Sequence, residues 1–127
     1  WEYCCRAGTT SAWFWSGTWD QAAANNYSWN SNNSGGVTHP VAKTISNSWG
    51  LFDMSGNVWE WCNDWYDAYA TNTQVEPVGP NSSPVSHRII RGGSYRYNQK
   101  PIGSAMRGSN YPYYRSSNIG FRIVCHP

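Results

Sequence analysis

The sequence predicts an α+β domain with few short helices, several short strands and much irregular loop. Its length of 127 residues suits a single domain or part of one. Aromatic residues make up 17% of the chain, including nine Trp and nine Tyr, whereas charged residues make up only 13%. Because each such ring can bury a large apolar area, we expect an ordered core of Trp and Tyr rather than a disordered chain.

Two short helices are predicted near the N-terminus. Residues 1–7 read as the end of a helix that Gly8 stops. Residues 19–26 contain Gln21 followed by three Ala and predict one short turn of helix. Residues 25–40 consist mostly of Asn, Ser, Gly and Thr, which is a loop composition.

Four short strands are predicted further along the chain. Residues 57–66 alternate with strand period, so that Val58 and Glu60 share one face while Trp59 and Trp61 share the other. Residues 87–91 form a second strand, which two glycines end, and residues 104–107 and 120–125 form two more. The loop between the first two strands, residues 71–86, contains three prolines. Loops this long are uncommon unless they serve a function.

Composition also excludes several functional classes. No apolar run approaches the roughly 20 residues of a membrane-spanning helix. The formal charge of +2, with nine Lys and Arg, argues against a nucleic-acid partner, which needs clustered cations. The chain starts at Trp1 without an initiator Met or a signal-peptide pattern, so we interpret it as a fragment or a processed form.

The cysteines leave two readings open. None of the pairs among Cys4, Cys5, Cys62 and Cys125 has the spacing of a zinc knuckle or a redox motif. One of the adjacent cysteines could form a disulfide with Cys62 or Cys125, which would suit an exported protein. Alternatively, all four are reduced and mostly buried.

Three segments carry a resemblance to a known family. They are Trp1-Glu2-Tyr3 with residues 6–9, the stretch 47–61 followed by 64–66, and Gly-Gly-Ser-Tyr at 92–95 with residues 120–122. Together they resemble the formylglycine-generating enzyme (sulfatase-modifying factor) family. The resemblance implies a C-type lectin-like fold with a small twisted antiparallel sheet. It also implies that residues 1–127 are the C-terminal portion of one such domain.

The resemblance does not extend to the family's oxidase chemistry. Its enzymes oxidise a sulfatase cysteine to formylglycine with copper held by two cysteines shortly after the Gly-Gly-Ser segment. Here residues 95–104 contain no Cys. Copper(I) needs soft thiolate ligands, which Tyr, Asn and Gln cannot replace. We therefore expect no copper and no enzymatic activity.

The resemblance implies a calcium site. The corresponding residues carry two carboxylates and two backbone carbonyls, a chemically sensible set for a hard cation that takes about six to eight oxygens. Alternatively, Asp53 caps a turn and Glu60 pairs with an arginine. The predicted structural calcium ligands are Asp53, Gly56, Val58 and Glu60.

Residues 91–122 show a second, narrower resemblance. They are similar to the variable region of diversity-generating retroelement proteins, in which mutagenesis rewrites chosen codons, many of them Asn codons, between fixed Arg, Pro and Gly residues. Such proteins use the lectin-type fold to present a ligand-binding face. The predicted ligand-binding residues are Tyr95, Arg96, Tyr97, Asn98, Gln99, Ser109, Asn110, Tyr111, Tyr113, Tyr114, Ser116, Ser117 and Asn118.

The residue types agree with this interpretation independently of the family. Tyr, Ser, Asn and Gly dominate antibody paratopes, where Tyr supplies rigid contact area and Ser and Asn supply adaptable hydrogen bonds. The alternative is an ordinary aromatic loop packed on the core. The arginines Arg91, Arg107, Arg115 and Arg122 are expected to stack on aromatic rings and to bond loop carbonyls. The three histidines are expected to be structural or solvent-facing.

The sequence thus predicts a non-catalytic ligand-binding protein, diversified by a retroelement and displayed at the cell surface or outside the cell. Its partner would be a protein or a cell-surface ligand of unknown identity. Two alternatives remain: a formylglycine-generating oxidase, and a structural subunit of a surface or secretion assembly.

Overall fold

The computed structural model describes residues 1–73, 75 and 79–125. The predicted loop at 71–86 is therefore tested only in part, and His126 lies outside the described residues. No helix in the described ranges is long and apolar enough to cross a membrane.

Both predicted helices are present. Helix α1 spans Glu2–Arg6 and ends at Ala7, whose φ of 46° and ψ of 43° are left-handed. Helix α2 spans Gln21–Tyr27. The side chain of Asp20 caps α2 by accepting a hydrogen bond of 2.7 Å from the backbone N–H of Ala23. A 3-10 turn, Lys100–Ile102, follows later in the chain.

Four strands form one small mixed sheet in the order β3-β2-β1-β4. They span Trp59–Trp65 (β1), Arg88–Arg91 (β2), Arg107–Asn110 (β3) and Ile119–Gly120 (β4). β2 runs antiparallel to both β1 and β3, and β4 runs parallel to β1. The predicted α+β fold class is confirmed, but the sheet is mixed rather than wholly antiparallel as predicted. Its parallel edge arises because the chain crosses from β3 on one side of the sheet to β4 on the other.

Two predicted strands differ in extent from the observed ones. The strand predicted at 104–107 begins only at Arg107, because the N–H of Ser104 bonds the carbonyl of Ala12 at 2.9 Å and residues 103–106 form a turn. Of the strand predicted at 120–125, only Gly120 joins the sheet, paired with Glu60. Residues 121–125 belong to no strand of the described chain.

Aromatic rings build much of the core, as predicted. Cys5, Phe14 and Met54 form a buried cluster on which Trp15 and Tyr27 pack. The rings of Trp15 and Tyr27 stack in parallel with centroids 5.4 Å apart, and Phe14 meets both rings edge-on. Such offset and edge-on pairs stabilise a fold by roughly 0.5–1.5 kcal/mol beyond the area they bury.

Buried polar side chains hold the long loops in place. Asn57 donates from Nδ2 to the carbonyl of His39 at 3.1 Å and accepts from its N–H at 3.0 Å. Ser34, only 1% exposed, donates to the carbonyl of Tyr95 at 3.1 Å. Ser55, fully buried, donates to the carbonyl of Ile102 at 2.9 Å. These bonds supply the partners that buried irregular backbone cannot find in a helix or sheet.

Arginines act as cross-links between segments, as predicted for three of the four. Arg91 donates to the carbonyls of Ala105 and Met106 and to the Glu2 carboxylate, each within 3.0 Å. Burial alone would raise the pKa of Glu2, but its hydrogen bonds from Arg6 and Arg91 hold the pKa below the ordinary value. The other two arginines behave similarly: Arg107 stacks on Tyr66 and Tyr69, and Arg122 bonds Glu60 and the carbonyl of Phe52.

No disulfide joins cysteines of the described residues. Cys5 is buried, and burial raises the pKa of its thiol to about 11. Burial also raises the pKa of Cys62. A thiol with a raised pKa stays protonated near neutral pH and is a poor nucleophile and metal ligand.

Candidate ligand-binding surface

The chain leaves β2 through two glycines and enters the first part of the candidate site. An added Cβ at Gly93, where φ is 71°, would lie only 2.4 Å from the carbonyl oxygen of Pro101. Glycine is therefore needed for this close approach. The next residues, Ser94 and Tyr95, are buried, and residues 96–99 are exposed.

Tyr95 supports the surface from below rather than facing solvent, so its predicted contact role needs correction. The residue is only 4% exposed, and its backbone N–H bonds the carbonyl of Asn57 at 2.9 Å. Its hydroxyl reaches outward and meets Ser117 Oγ at 3.3 Å and Arg96 Nε at 3.1 Å. These hydrogen bonds, with Ser117 contributing most, lower the pKa of the Tyr95 phenol.

Arg96 joins two parts of the surface that are distant in sequence. Its Nη2 donates to Ser117 Oγ at 3.1 Å, in addition to the Nε bond to Tyr95. The guanidinium thus orders residues 95–97 against residues 116–118. Asn118 reinforces this junction, because its carbonyl accepts from the N–H of Trp59 at 2.8 Å and its amide donates to Ser94 at 3.3 Å.

Tyr97 is 41% exposed and rests on the scaffold. Its ring meets Trp59 edge-on with centroids 6.1 Å apart, and its carbonyl accepts from the N–H of Ser31 at 3.0 Å. Gln99 is held through its carbonyl, which accepts from the indole of Trp13 at 3.2 Å. The exposed side chains of this segment are therefore carried on a fixed backbone.

A tyrosine cluster forms the second part of the surface. Tyr111 and Tyr113 stack with centroids 5.4 Å apart at 10°, and Tyr111 meets His87 edge-on at 4.4 Å. The N–H of Tyr114 bonds the carbonyl of Tyr111 at 2.9 Å and closes a turn. Tyr111, Tyr113 and Tyr114 are 44%, 77% and 45% exposed. Three phenols thus face water on a short ordered turn.

The thirteen predicted residues consequently differ in exposure. Besides Tyr95, four are half-buried: Ser109, Asn110, Ser116 and Asn118. The remaining eight are exposed: Arg96, Tyr97, Asn98, Gln99, Tyr111, Tyr113, Tyr114 and Ser117. We call the face formed by residues 95–99 and 109–118 the variable-type surface.

His87 was predicted only to be structural or solvent-facing, and its contact with the tyrosine cluster was not predicted. Its Nδ1 lies 3.1 Å from Ser109 Oγ, and its ring supports Tyr111. The β2–β3 register, in which Arg88 pairs with Asn110, brings His87 to this position. A lone histidine gives no signal of this role in the sequence, because the contact depends on pairing between strands about 20 residues apart.

The four predicted calcium ligands line one cavity of about 430 Å³. Asp53 Oδ2 accepts from the N–H of Ala42 at 2.7 Å. Glu60 accepts from Arg122 at 2.7 and 3.0 Å and from the Trp1 indole at 2.7 Å. The donor types suit Ca²⁺, but a cation would share Glu60 with the Arg122 guanidinium. Within the described ranges, no group of three or more His, Cys, Asp or Glu could hold a metal ion, so calcium stays a prediction.

A larger cavity of about 670 Å³ lies next to the first. Trp61, Ile89 and Met54 contribute apolar walls, and Cys4 and Cys62 also line it. The cavity is continuous with exposed apolar side chains, since Ile123 is 85% and Val124 is 80% exposed. None of the predicted variable-type surface residues lines it.

Comparison with known proteins places this fold and surface in a family. The model of the sulfatase-modifying factor enzyme 1-like domain matches residues 1–127. The chain therefore belongs to the family of sulfatase-modifying factor enzyme 1-like domains, as the sequence motifs predicted.

Individual relatives refine this assignment. The structure of Treponema denticola variable protein 1 superposes with a TM-score of 0.86 and 36% identity, over 95% of this chain and 43% of that chain. The formylglycine-generating enzyme of Streptomyces coelicolor is 40% identical over 92 residues, which cover 68% of this chain and 29% of the enzyme. PvdO from Pseudomonas aeruginosa, at 24% identity and a TM-score of 0.77 over 94% of this chain and 47% of that chain, shares the fold. The chain spans less than half the length of each relative.

Proposed function

We propose that this protein is a non-catalytic binding protein that contacts its ligand through the variable-type surface. The observation that carries the proposal is the group of exposed tyrosines, Tyr97, Tyr111, Tyr113 and Tyr114, mounted on backbone that the scaffold fixes. Binding then orders few additional groups, which limits its entropic cost. The likeness to Treponema denticola variable protein 1 supports a ligand-binding scaffold.

The mechanism is contact rather than chemistry. The phenols supply rigid amphipathic area, while Asn98, Gln99 and Ser117 supply hydrogen bonds that can adapt to different ligands.

The oxidase alternative is disfavoured because residues 95–104 contain no Cys. The raised pKa values of Cys5 and Cys62 further disfavour thiolate chemistry near neutral pH.

We further propose that a retroelement diversifies the surface. The protein would then meet its ligand at the cell surface or outside the cell. Exposed side chains on pinned backbone tolerate replacement, because changing them removes few scaffold contacts. Buried supports such as Tyr95 and Gly93 do not.

Sequencing the same gene in sibling isolates tests this proposal. We expect differences to concentrate at Tyr97, Asn98 and Gln99 and at the exposed positions 111, 113 and 114. Gly93, Tyr95 and Trp59 should be unchanged. Differences spread evenly along the gene, or an invariant surface, would contradict diversification. A reverse transcriptase and a near-copy of codons 91–122 beside the gene would support it.

A further inference from the structure

Charge is distributed unevenly along the chain. All seven Asp and Glu residues lie at or before position 76, so residues 77–127 carry no carboxylate side chain. Seven of the nine Lys and Arg lie in the C-terminal part: Arg88, Arg91, Arg96, Lys100, Arg107, Arg115 and Arg122. The variable-type surface is therefore built from the basic part of the chain.

Four of these seven cations are engaged by the scaffold. Arg91 and Arg122 form ion pairs with Glu2 and Glu60, at 2.9 and 2.7 Å. The other two stack on aromatic rings at 3.7–3.8 Å, Arg88 on Trp65 and Arg107 on Tyr69. All four are buried or half-buried, and their guanidinium groups contact the scaffold.

The remaining three, Arg96, Lys100 and Arg115, are exposed and form no ion pair with any carboxylate that the structure describes. Arg96 is held in place by Tyr95 and Ser117, both neutral hydroxyl groups. Neutral partners fix the direction of a guanidinium without cancelling its charge. Arg96 is thus an oriented, uncompensated cation.

Two of these cations, Arg96 and Arg115, are next to exposed tyrosines in the chain, and Lys100 directly follows the exposed Gln99. Arg115 directly follows Tyr114 and is two residues from Ser117, which Arg96 contacts; Arg96 itself directly precedes Tyr97. Arginine and tyrosine are the residue types that most often dominate binding energy at protein interfaces. Opposite charge on the partner would accelerate association and exclude basic competitors.

We propose that the partner of the variable-type surface is an acidic polypeptide whose carboxylates face Arg96, Arg115 and Lys100 while its apolar groups contact the exposed tyrosines. This inference rests on the proposed function. A nucleic acid fits less well, because phosphate-backbone binding needs clustered cations and only three of the described ones on this part of the chain are exposed without an ion pair.

A random peptide library displayed on phage and panned on the purified protein provides a defined probe. We expect the enriched peptides to contain an excess of Asp and Glu together with apolar residues. The double variant Arg96→Glu with Arg115→Glu should lose this excess and weaken binding of a selected peptide by at least about tenfold. Lys43→Glu, an exposed charge reversal outside the surface, should leave binding unchanged.

Two further measurements distinguish a failure of this inference from a failure of the proposed function. Tyr111→Ser with Tyr113→Ser should abolish binding of the selected peptides. If that variant has no effect, or if no peptides are enriched, the proposed function fails and this inference with it. If binding of the selected peptides depends on the tyrosines but the peptides show no acidic excess, only the acidic polypeptide partner is wrong. The same conclusion follows if a single-stranded oligonucleotide binds as tightly as the peptides and competes with them.

Discussion

At the scale of single residues, Asp53 and Glu60 are the two carboxylates of the predicted calcium site. Both are buried, with 8% and 5% of their surface exposed, and both line one cavity. Arg122 already neutralises Glu60 through two hydrogen bonds. A bound calcium would therefore draw chiefly on Asp53 and backbone oxygens, with Glu60 shared between the ion and the guanidinium.

We predict that calcium stabilises the protein through Asp53. A ligand that binds only the folded state at about 100 times its dissociation constant stabilises it by about 2.7 kcal/mol. The melting temperature in millimolar Ca²⁺ should therefore exceed that in a chelator by several degrees, and Asp53→Ala should remove the difference. Asp67→Ala, which alters an exposed carboxylate, should preserve it. Equal melting temperatures for the original protein with and without calcium would show that this site holds no calcium.

At the scale of secondary-structure elements, Arg91 connects β2 to its surroundings. Its guanidinium bonds Glu2 of α1 and the carbonyls of Ala105 and Met106, which precede β3. Arg91 itself is 8% exposed, so its guanidinium has little access to water as a substitute for these acceptors. The fork of N–H donors on arginine reaches acceptors on two sides at once, which the single ammonium of lysine cannot do.

We predict that Arg91→Lys lowers the free energy of unfolding by roughly 1–3 kcal/mol, because one ammonium group at this buried position preserves the charge but cannot replace all the hydrogen bonds of the guanidinium. Urea denaturation measures this difference. Arg96→Lys, the same change on an exposed arginine, should cost no more than about 0.5–1 kcal/mol. Comparable losses for the two variants would mean that Arg91 does not join these elements in solution.

The sequence predicts a helix or strand well when the residues that determine it are neighbours in the chain. Both helices and strand β1 follow from local signals such as the three Ala after Gln21 and the alternation around Trp59. The position of β3 depends instead on contacts distant in sequence, because Ser104 is fixed by Ala12 and the register pairs Arg91 with Arg107. The burial of Tyr95 likewise could not be predicted from the sequence, since its backbone is held by hydrogen bonds to Asn57 and Ser34, which are 38 and 61 residues away in the chain.

At the scale of the whole molecule, scaffold and surface make largely separate sets of contacts. Tyr111, which directly follows β3, contacts His87 and stacks on Tyr113. The core cluster around Phe14 and Met54 lies in other segments and includes no residue of 95–118. The surface meets the scaffold through contacts of Tyr95, Tyr97, Gln99 and Asn118 and through the pairing of β3 with β2.

This separation predicts that the same Tyr→Ser substitution lowers the free energy of unfolding much less at the surface than in the scaffold. Tyr113→Ser removes a ring that is 77% exposed, so the free energy of unfolding should fall by no more than about 1 kcal/mol. Tyr95→Ser removes a ring that is 4% exposed and should cost roughly 3–5 kcal/mol. Urea denaturation of both variants gives the comparison. If Tyr113→Ser proved as costly as Tyr95→Ser, side chains at the surface could not be exchanged without unfolding the scaffold, and a diversified binding surface would be physically untenable on this fold.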